Sequence, residues 1–174
     1  MMHPLEKFRF CPICGSPRFV VNNFKSKKCL DCGFVYYFNP SAATVAVIFN
    51  PKGELLVVRR GKEPAKGTLD LPGGFADCFE SSEQGVAREV KEETNLEVTD
   101  ARFLFSLPNT YLYSDFLVHT IDNFFRCEVK EVSSARAADD AAELLWIPLS
   151  KLRPELFGLN SIREGVQRLL DKMG

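Results

Sequence analysis

Alternating and continuous apolar runs divide the chain into a short polar-rich segment and a longer one with a regular order of elements. In the first forty residues only Arg18 to Val21 and Phe34 to Phe38 read as strands, and both are short. Asn39-Pro40 marks a boundary, which places one unit at residues 1–39 and a second at 40–174. The second unit opens on the β-branched run Thr44 to Phe49, a turn at Asn50 to Gly53, and the run Glu54 to Arg59, a pattern that predicts a hairpin. A helix is predicted from Ser81 or Ser82, because Ser81 and Gln84 have capping-box spacing and acids fill the first turn. Ala101 to Leu107 and Asn109 to Tyr113 read as strand segments broken at Pro108, which cannot donate to a ladder. His119 to Lys130 and Leu144 to Ile147 complete the strands, and Pro148 to Leu152 reads as a helical turn. Ser161 and Glu164 form a second capping-box pattern, opening an amphipathic helix with Ile162, Val166, Leu169 and Leu170 on its apolar face. Strands interrupted by one central helix and closed by another predict an α+β chain, an α/β/α sandwich around a mixed sheet.

Composition narrows the class. With 174 residues, 45% hydrophobic and 26% charged, the chain suits one globular domain with a small addition. A formal net charge of −1 provides no global basic field and argues against a nucleic-acid partner. The local cluster Lys25, Lys27 and Lys28 beside Phe24 fits a solvated hairpin tip, or a surface that touches nucleic acid. No run has the length of a membrane span and Met1 to Phe10 lacks an apolar signal core, so the expected compartment is the cytoplasm. In that setting Cys11-Pro-Ile-Cys14-Gly and Cys29-Leu-Asp-Cys32-Gly read as two thiolate knuckles of a zinc ribbon rather than disulfides. Four thiolates close a tetrahedral Zn²⁺ site with no position left for catalysis, so the ion would be structural.

The chemistry concentrates in Gly74 to Leu96, behind the turn Leu71-Pro72-Gly73-Gly74. With Glu89 at 0° on a helical wheel, Glu92 falls at about −60° and Glu93 at about +40°. Three carboxylates on one stripe repel one another unless solvated or bridged by cations. A hard divalent ion, Mg²⁺ or Mn²⁺, takes several carboxylate oxygens together with substrate phosphate, and the glycine loop lets backbone approach such a ligand. The stripe is thus either a solvated acidic face or a metal site.

Gly74, Glu80, Arg88-Glu89-Val90, Glu92-Glu93 and Asn95-Leu96 stand at a spacing that resembles the Nudix box, G-x5-E-x7-R-E-U-x-E-E-x-G-U. Asn95 replaces the usual glycine at the helix end, where asparagine also tolerates a left-handed cap. Cys78-Phe79 replaces the commoner Pro-Gly before Glu80. The resemblance implies a Nudix-type sandwich and a metal-dependent pyrophosphohydrolase. It implies Glu89, Glu92 and Glu93 as ligands of Mg²⁺ or Mn²⁺, often with the Gly73 carbonyl, and an ion pair of Glu80 with Arg88. A homodimer is implied by the resemblance alone.

A ribbon ahead of this domain, with Tyr36-Tyr37-x-Asn39-Pro40 between them, resembles the NADH pyrophosphatase branch. Of that branch's S-Q-P-W-P-F-P motif only the serine and first proline match, at Ser106 and Pro108. The resemblance therefore implies as substrate a nucleoside diphosphate linked to another group: NADH, ADP-ribose, another nucleotide sugar or a dinucleotide. Arg59 and Arg60 end the second strand, and one of them, taken as Arg59, is expected to meet the phosphates beside Gly73 and Gly74. Glu92, and after it Glu143 in the acidic stretch Asp139 to Glu143, are the candidate general bases. Tyr111 or Tyr113 suits stacking on a base. His3, His119, Cys78 and Cys127 carry no assigned role. The competing class is a non-catalytic nucleotide sensor, or an RNA-binding protein that uses its ribbon.

Overall fold

The computed structural model describes residues 3–173. The chain separates after Pro40 into two compact units. In the first, β1 (Phe19–Asn23), β2 (Ser26–Cys29) and β3 (Val35–Tyr37) form an antiparallel sheet in that order. Its small core is Cys11, Phe19 and Cys29, with Phe34 packed against it. The middle strand was hidden in the sequence because Ser-Lys-Lys-Cys has no apolar alternation. Lys27 is nonetheless buried, donating to the Phe8 carbonyl at 2.6 Å with its ammonium 5.5 Å from the Phe19 ring centroid. The basic cluster is therefore partly structural.

The second unit runs β4 (Ser41–Val47), β5 (Glu54–Arg60), β6 (Leu69–Asp70), β7 (Gly73–Phe75), α1 (Ser82–Thr94), β8 (Val98–Tyr113), β9 (Phe116–Val129), β10 (Ala141–Pro148) and α2 (Asn160–Met173). One sheet has the order β7-β4-β9-β8, with β4 parallel to β9 and the other pairs antiparallel. The other, β10-β5-β6, is antiparallel throughout. Side chains alternate across each strand, so its two faces serve two cores. Val45, Val47, Leu55 and Val57 join Leu107, Phe124 and the α2 residues Ile162, Val166 and Leu169. Ala46, Ile48 and Leu56 join Phe125, Leu96 and the α1 residues Val86 and Val90. Strands between two helices are the expected α/β/α sandwich, and each fully buried Val, Leu or Ile adds roughly 1.5–3 kcal/mol.

Three expectations change. The predicted hairpin pairs only at its neck, through Phe49 and Leu55, after which β4 and β5 enter different sheets. Each strand is buried on both faces, so each fits the middle of a layer rather than a two-stranded ribbon. Next, β8 continues through Pro108, which sits opposite Ile121. Because β8 is an edge strand, it has an unpaired side on which a proline is tolerated without breaking the ladder. Finally, α2 begins at Asn160 and Ser161 is inside it, its hydroxyl donating to Asp122 at 2.5 Å instead of capping the helix.

Helix α2 crosses the sheet closely enough that a Cβ on Gly165 would lie 2.4 Å from the buried Phe124 ring. Gly165→Ala is expected to cost about 1–3 kcal/mol through forced displacement of the helix. The check is thermal unfolding followed by circular dichroism, where an unchanged Tm would show that the helix sits less tightly.

Candidate functional site

Local backbone demands build the site. Gly73 has φ +153°, and a Cβ there would lie 2.0 Å from the Thr44 carbonyl oxygen, so β7 can press against β4 only as glycine. At Gly74 a Cβ would lie 2.6 Å from the Glu89 carboxylate. Helix α1 starts at the expected capping box, the Ser81 side chain accepting from Gln84 N–H while the Gln84 side chain accepts from Ser81 N–H. It ends at Asn95 with φ 59°, the left-handed cap expected there. Phe79, at the second position of the family's commoner Pro-Gly, takes φ 71° and is fully exposed.

Arg88 ties this region together. Its guanidinium donates to Glu80 at 2.6 and 3.2 Å and to the Phe75 carbonyl at 3.0 Å. One of its nitrogens also reaches Glu89 at 2.9 Å and Glu92 at 3.1 Å. Arg88, then the Asp77 N–H, hold the Glu80 carboxyl below its usual range. Glu89 is pushed up by burial, against the pull of Arg88. Glu93 is only 8% exposed and accepts the Gly73 N–H at 3.1 Å. Burial raises its pKa to about 8, the Gly73 N–H opposes the rise, and the charges of Asp70, Glu89 and Asp140 add to it. Glu92 is half-exposed.

Gly73, Gly74 and Glu93 line a cavity of about 570 Å³. The strand-end arginine in its wall is Arg60, not Arg59. Arg59 lies opposite Glu143 in the β5·β10 ladder and donates to it at 2.9 Å, and to the Gly67 carbonyl at 3.0 Å. Neither Arg59 nor Glu143 reaches the cavity, and the acidic stretch contributes Asp140 instead. Arg60 donates to Asp70 at 2.5 Å and to the Pro64 carbonyl at 2.6 Å. The hydroxyl of Thr44, 1% exposed, also belongs to this wall and has no hydrogen-bond partner among the described residues.

The far wall is one face of the β8–β9 ribbon. Leu107 pairs with Asp122, Asn109 with Thr120, Tyr111 with Val118 and Tyr113 with Phe116, so these side chains share a face. Leu107 enters the α2 core, while Asn109, Tyr111, Tyr113, Val118, Thr120 and Asp122 line the cavity. Burial, then the Asp122 charge, push the Tyr111 phenol up. Asp70, Thr44 and Asp122 were missed in the sequence, and Arg60 was named there only as the alternative to Arg59. The period-two alternation of Leu107, Asn109, Tyr111 and Tyr113 was the available signal for the ribbon.

In the first unit the ligand atoms of Cys11, Cys14, Cys29 and Cys32 all lie within 4.8 Å of one another, an arrangement that fits zinc. Gly15 and Gly33 have φ 72° and 78°, and their N–H groups close the knuckle turns onto the Cys11 and Cys29 carbonyls. Among the described residues no other group of His, Cys, Asp or Glu meets so closely.

Known proteins resemble this chain in sequence and in fold. The NAD-capped RNA hydrolase NudC of Vibrio vulnificus is 32% identical over 106 residues, 61% of this chain and 40% of that protein. This chain thus spans well under two thirds of that relative's length. An ADP-ribose pyrophosphatase of Methanocaldococcus jannaschii is 34% identical over 118 residues, 67% of this chain and 66% of that protein. A crystal structure of a NUDIX hydrolase from Nitrosomonas europaea superposes with a TM-score of 0.74, covering 94% of this chain and 91% of the other at 19% identity, a likeness of fold. Residues 39–169 match the NUDIX domain, a span that takes in both sheets and the glycine loop with its helix, and the chain belongs to that family.

Proposed function

We propose that the protein is a metal-dependent pyrophosphohydrolase that cleaves a nucleoside diphosphate linked to a second group, with NADH and ADP-ribose the first substrates to consider. The observation that carries this reading is the buried Glu93 carboxylate, held by the Gly73 N–H in the wall of the cavity, with Glu89 and Glu92 on the same helix and bridged by Arg88 outside that lining. The relatives named NAD-capped RNA hydrolase and ADP-ribose pyrophosphatase support it. In this reading residues 1–39 are a zinc ribbon whose ion is structural, residues 40–174 are the hydrolase domain, and the protein works in the cytoplasm. Among the described residues no helix is long and apolar enough to cross a membrane.

The donors suit a hard divalent ion. Glu89, Glu92 and Glu93 supply only oxygen, and the arginine nitrogen between Glu89 and Glu92 marks a position where positive charge is favoured. Gly74 leaves the Glu89 carboxylate room against the loop, and Glu93 is buried with a raised pKa that a cation would relieve. Bound there, Mg²⁺ or Mn²⁺ would offset charge on the diphosphate and acidify the attacking water. Arg60 and Lys62 face the same space as donors for substrate phosphate, each held in place by an aspartate, Asp70 and Asp140. Glu92, the most exposed acid of the three, takes the proton of the water, with Glu143 the second candidate; each is paired with an arginine, Arg88 and Arg59 respectively.

Glu92→Gln and Glu93→Gln are each expected to lower turnover by about 10²-fold or more at unchanged fold, measured by chromatography of NADH, ADP-ribose, FAD and dinucleoside polyphosphates incubated with Mg²⁺. Near-wild-type rates would remove these assignments. Gly74→Ala should fold normally and bind Mn²⁺ about tenfold more weakly by calorimetry, since its methyl displaces Glu89; equal affinity would put the ion elsewhere. Treatment with a strong chelator should release about one zinc per chain and collapse the β1–β3 sheet, seen as lost amide protection, because so small a core depends on the ion.

A further inference from the structure

Thr44 stands apart from the other buried polar groups. Its side chain is 1% exposed, and its hydroxyl is the one buried side-chain nitrogen or oxygen among the described residues with no hydrogen-bond partner. The strand does not need it. Thr44 opens the apolar run Val45-Ala46-Val47-Ile48, where valine has the same shape, the same preference for strands and no group to satisfy. A buried hydroxyl left unmatched is costly, so its presence calls for a partner that the fold alone does not supply.

Parity shows where that partner lies. Thr44 shares its face of β4 with Ala46 and Ile48, which join Val86 and Val90 of α1 in one core. In the β4–β7 ladder it stands directly opposite Gly74, and side chains so paired leave the sheet on one face with Cβ positions about 4.5–5.5 Å apart. Position 74 points at Glu89, since a Cβ there would meet that carboxylate at 2.6 Å. On the other side, a Cβ on Gly85 would lie 3.6 Å from the Thr44 methyl and 3.0 Å from a Glu80 oxygen. The threonine side chain is thus under α1, between Glu89 and Glu80. Glu80 already accepts twice from Arg88 and once from the Asp77 N–H. Glu89 accepts only from Arg88 among the described residues, at 2.9 Å, and is drawn to that side. Of the two acids, Glu89 is the one short of donors.

We infer that Thr44 is a positioning residue for the metal site, its hydroxyl donating to the Glu89 carboxylate once a divalent ion has taken the place of the arginine nitrogen. The inference rests on reading the α1 acids as ligands of Mg²⁺ or Mn²⁺, and it adds a residue from outside the helix. A donor on a ligating carboxylate fixes its orientation, and a β-branched side chain held in a strand loses little further freedom in doing so.

The test compares Thr44→Val and Thr44→Ser with wild type as the full chain, by thermal unfolding without added Mg²⁺ or Mn²⁺ and by calorimetric titration with Mn²⁺. Thr44→Val keeps the shape and removes the unmatched hydroxyl. Its Tm should rise by about 2–4 °C while its Mn²⁺ affinity falls about tenfold. Thr44→Ser keeps the donor and should bind Mn²⁺ within about twofold of wild type, although loss of the buried methyl lowers its Tm. Opposite signs in the valine protein are the signature, because a residue that only packs would lose stability at unchanged affinity. Undiminished Mn²⁺ affinity in Thr44→Val overturns the role, as does a lowered Tm, or a serine protein that binds as weakly as the valine one. Failure of wild-type protein to take up Mn²⁺ removes the metal site and this role together. If Thr44→Val shows the expected loss but wild type hydrolyses no diphosphate substrate, the role stands and the hydrolase reading falls.

Discussion

The second unit depends on one close approach. Strand β7 lies so near β4 that position 73 has no room for a side chain, and the Gly73 N–H then points at Glu93 from the last turn of α1. That hydrogen bond fixes the loop to the helix and draws a carboxylate out of water beside other acids. The arrangement is electrostatically unfavourable on its own, which is why Glu93 holds its proton so tightly. Arg88 offsets part of the repulsion from the other side, spreading one guanidinium over Glu80, Glu89, Glu92 and the Phe75 carbonyl. Rigid backbone holds Glu93 on one flank, and one shared cation holds Glu89 and Glu92 together on the other.

The sandwich gives this juncture its stiffness. Central strands β4 and β5 send alternate residues into two cores, one under each helix, so α1 and α2 are fixed with respect to the same layer. The cavity lies where that layer is left uncovered. One wall comes from the β4–β7 crossing, another from the ends of β5 and β6, and the third from the β8–β9 ribbon beside the first turn of α2. Asp122 joins two of these parts, for it accepts from Thr120 on its own strand and from Ser161 on the helix.

Features set by local chemistry were legible in the sequence. The Ser81–Gln84 cap, the Asn95 stop, the acidic edge of α1 and the paired knuckles each depend on a few neighbouring residues. Features decided by parity or by a distant partner were not. Arg59 and Arg60 are equivalent in composition, yet pleating sends one to Glu143 and its neighbour into the cavity, and only the ladder register decides which. Glu143 was misplaced for the same reason, since its cross-strand partner is eighty-four residues away. Ser161 has the spacing of a cap, but a buried carboxylate on β9 takes its hydroxyl instead. Pro108 read as a break because nothing in the sequence shows that β8 has a neighbour on one side only.

That proline has a bearing on association. An exposed sheet margin sixteen residues long is a template on which another polypeptide can lay a strand, and β8 carries Phe103, Leu104 and Leu112 exposed along it. A pyrrolidine ring near the middle deprives such an intruder of a hydrogen bond and pushes against its backbone. The margin is thereby cut into two short lengths, each a poor seed for fibril-like stacking, while the ribbon keeps the extent it needs to wall the cavity.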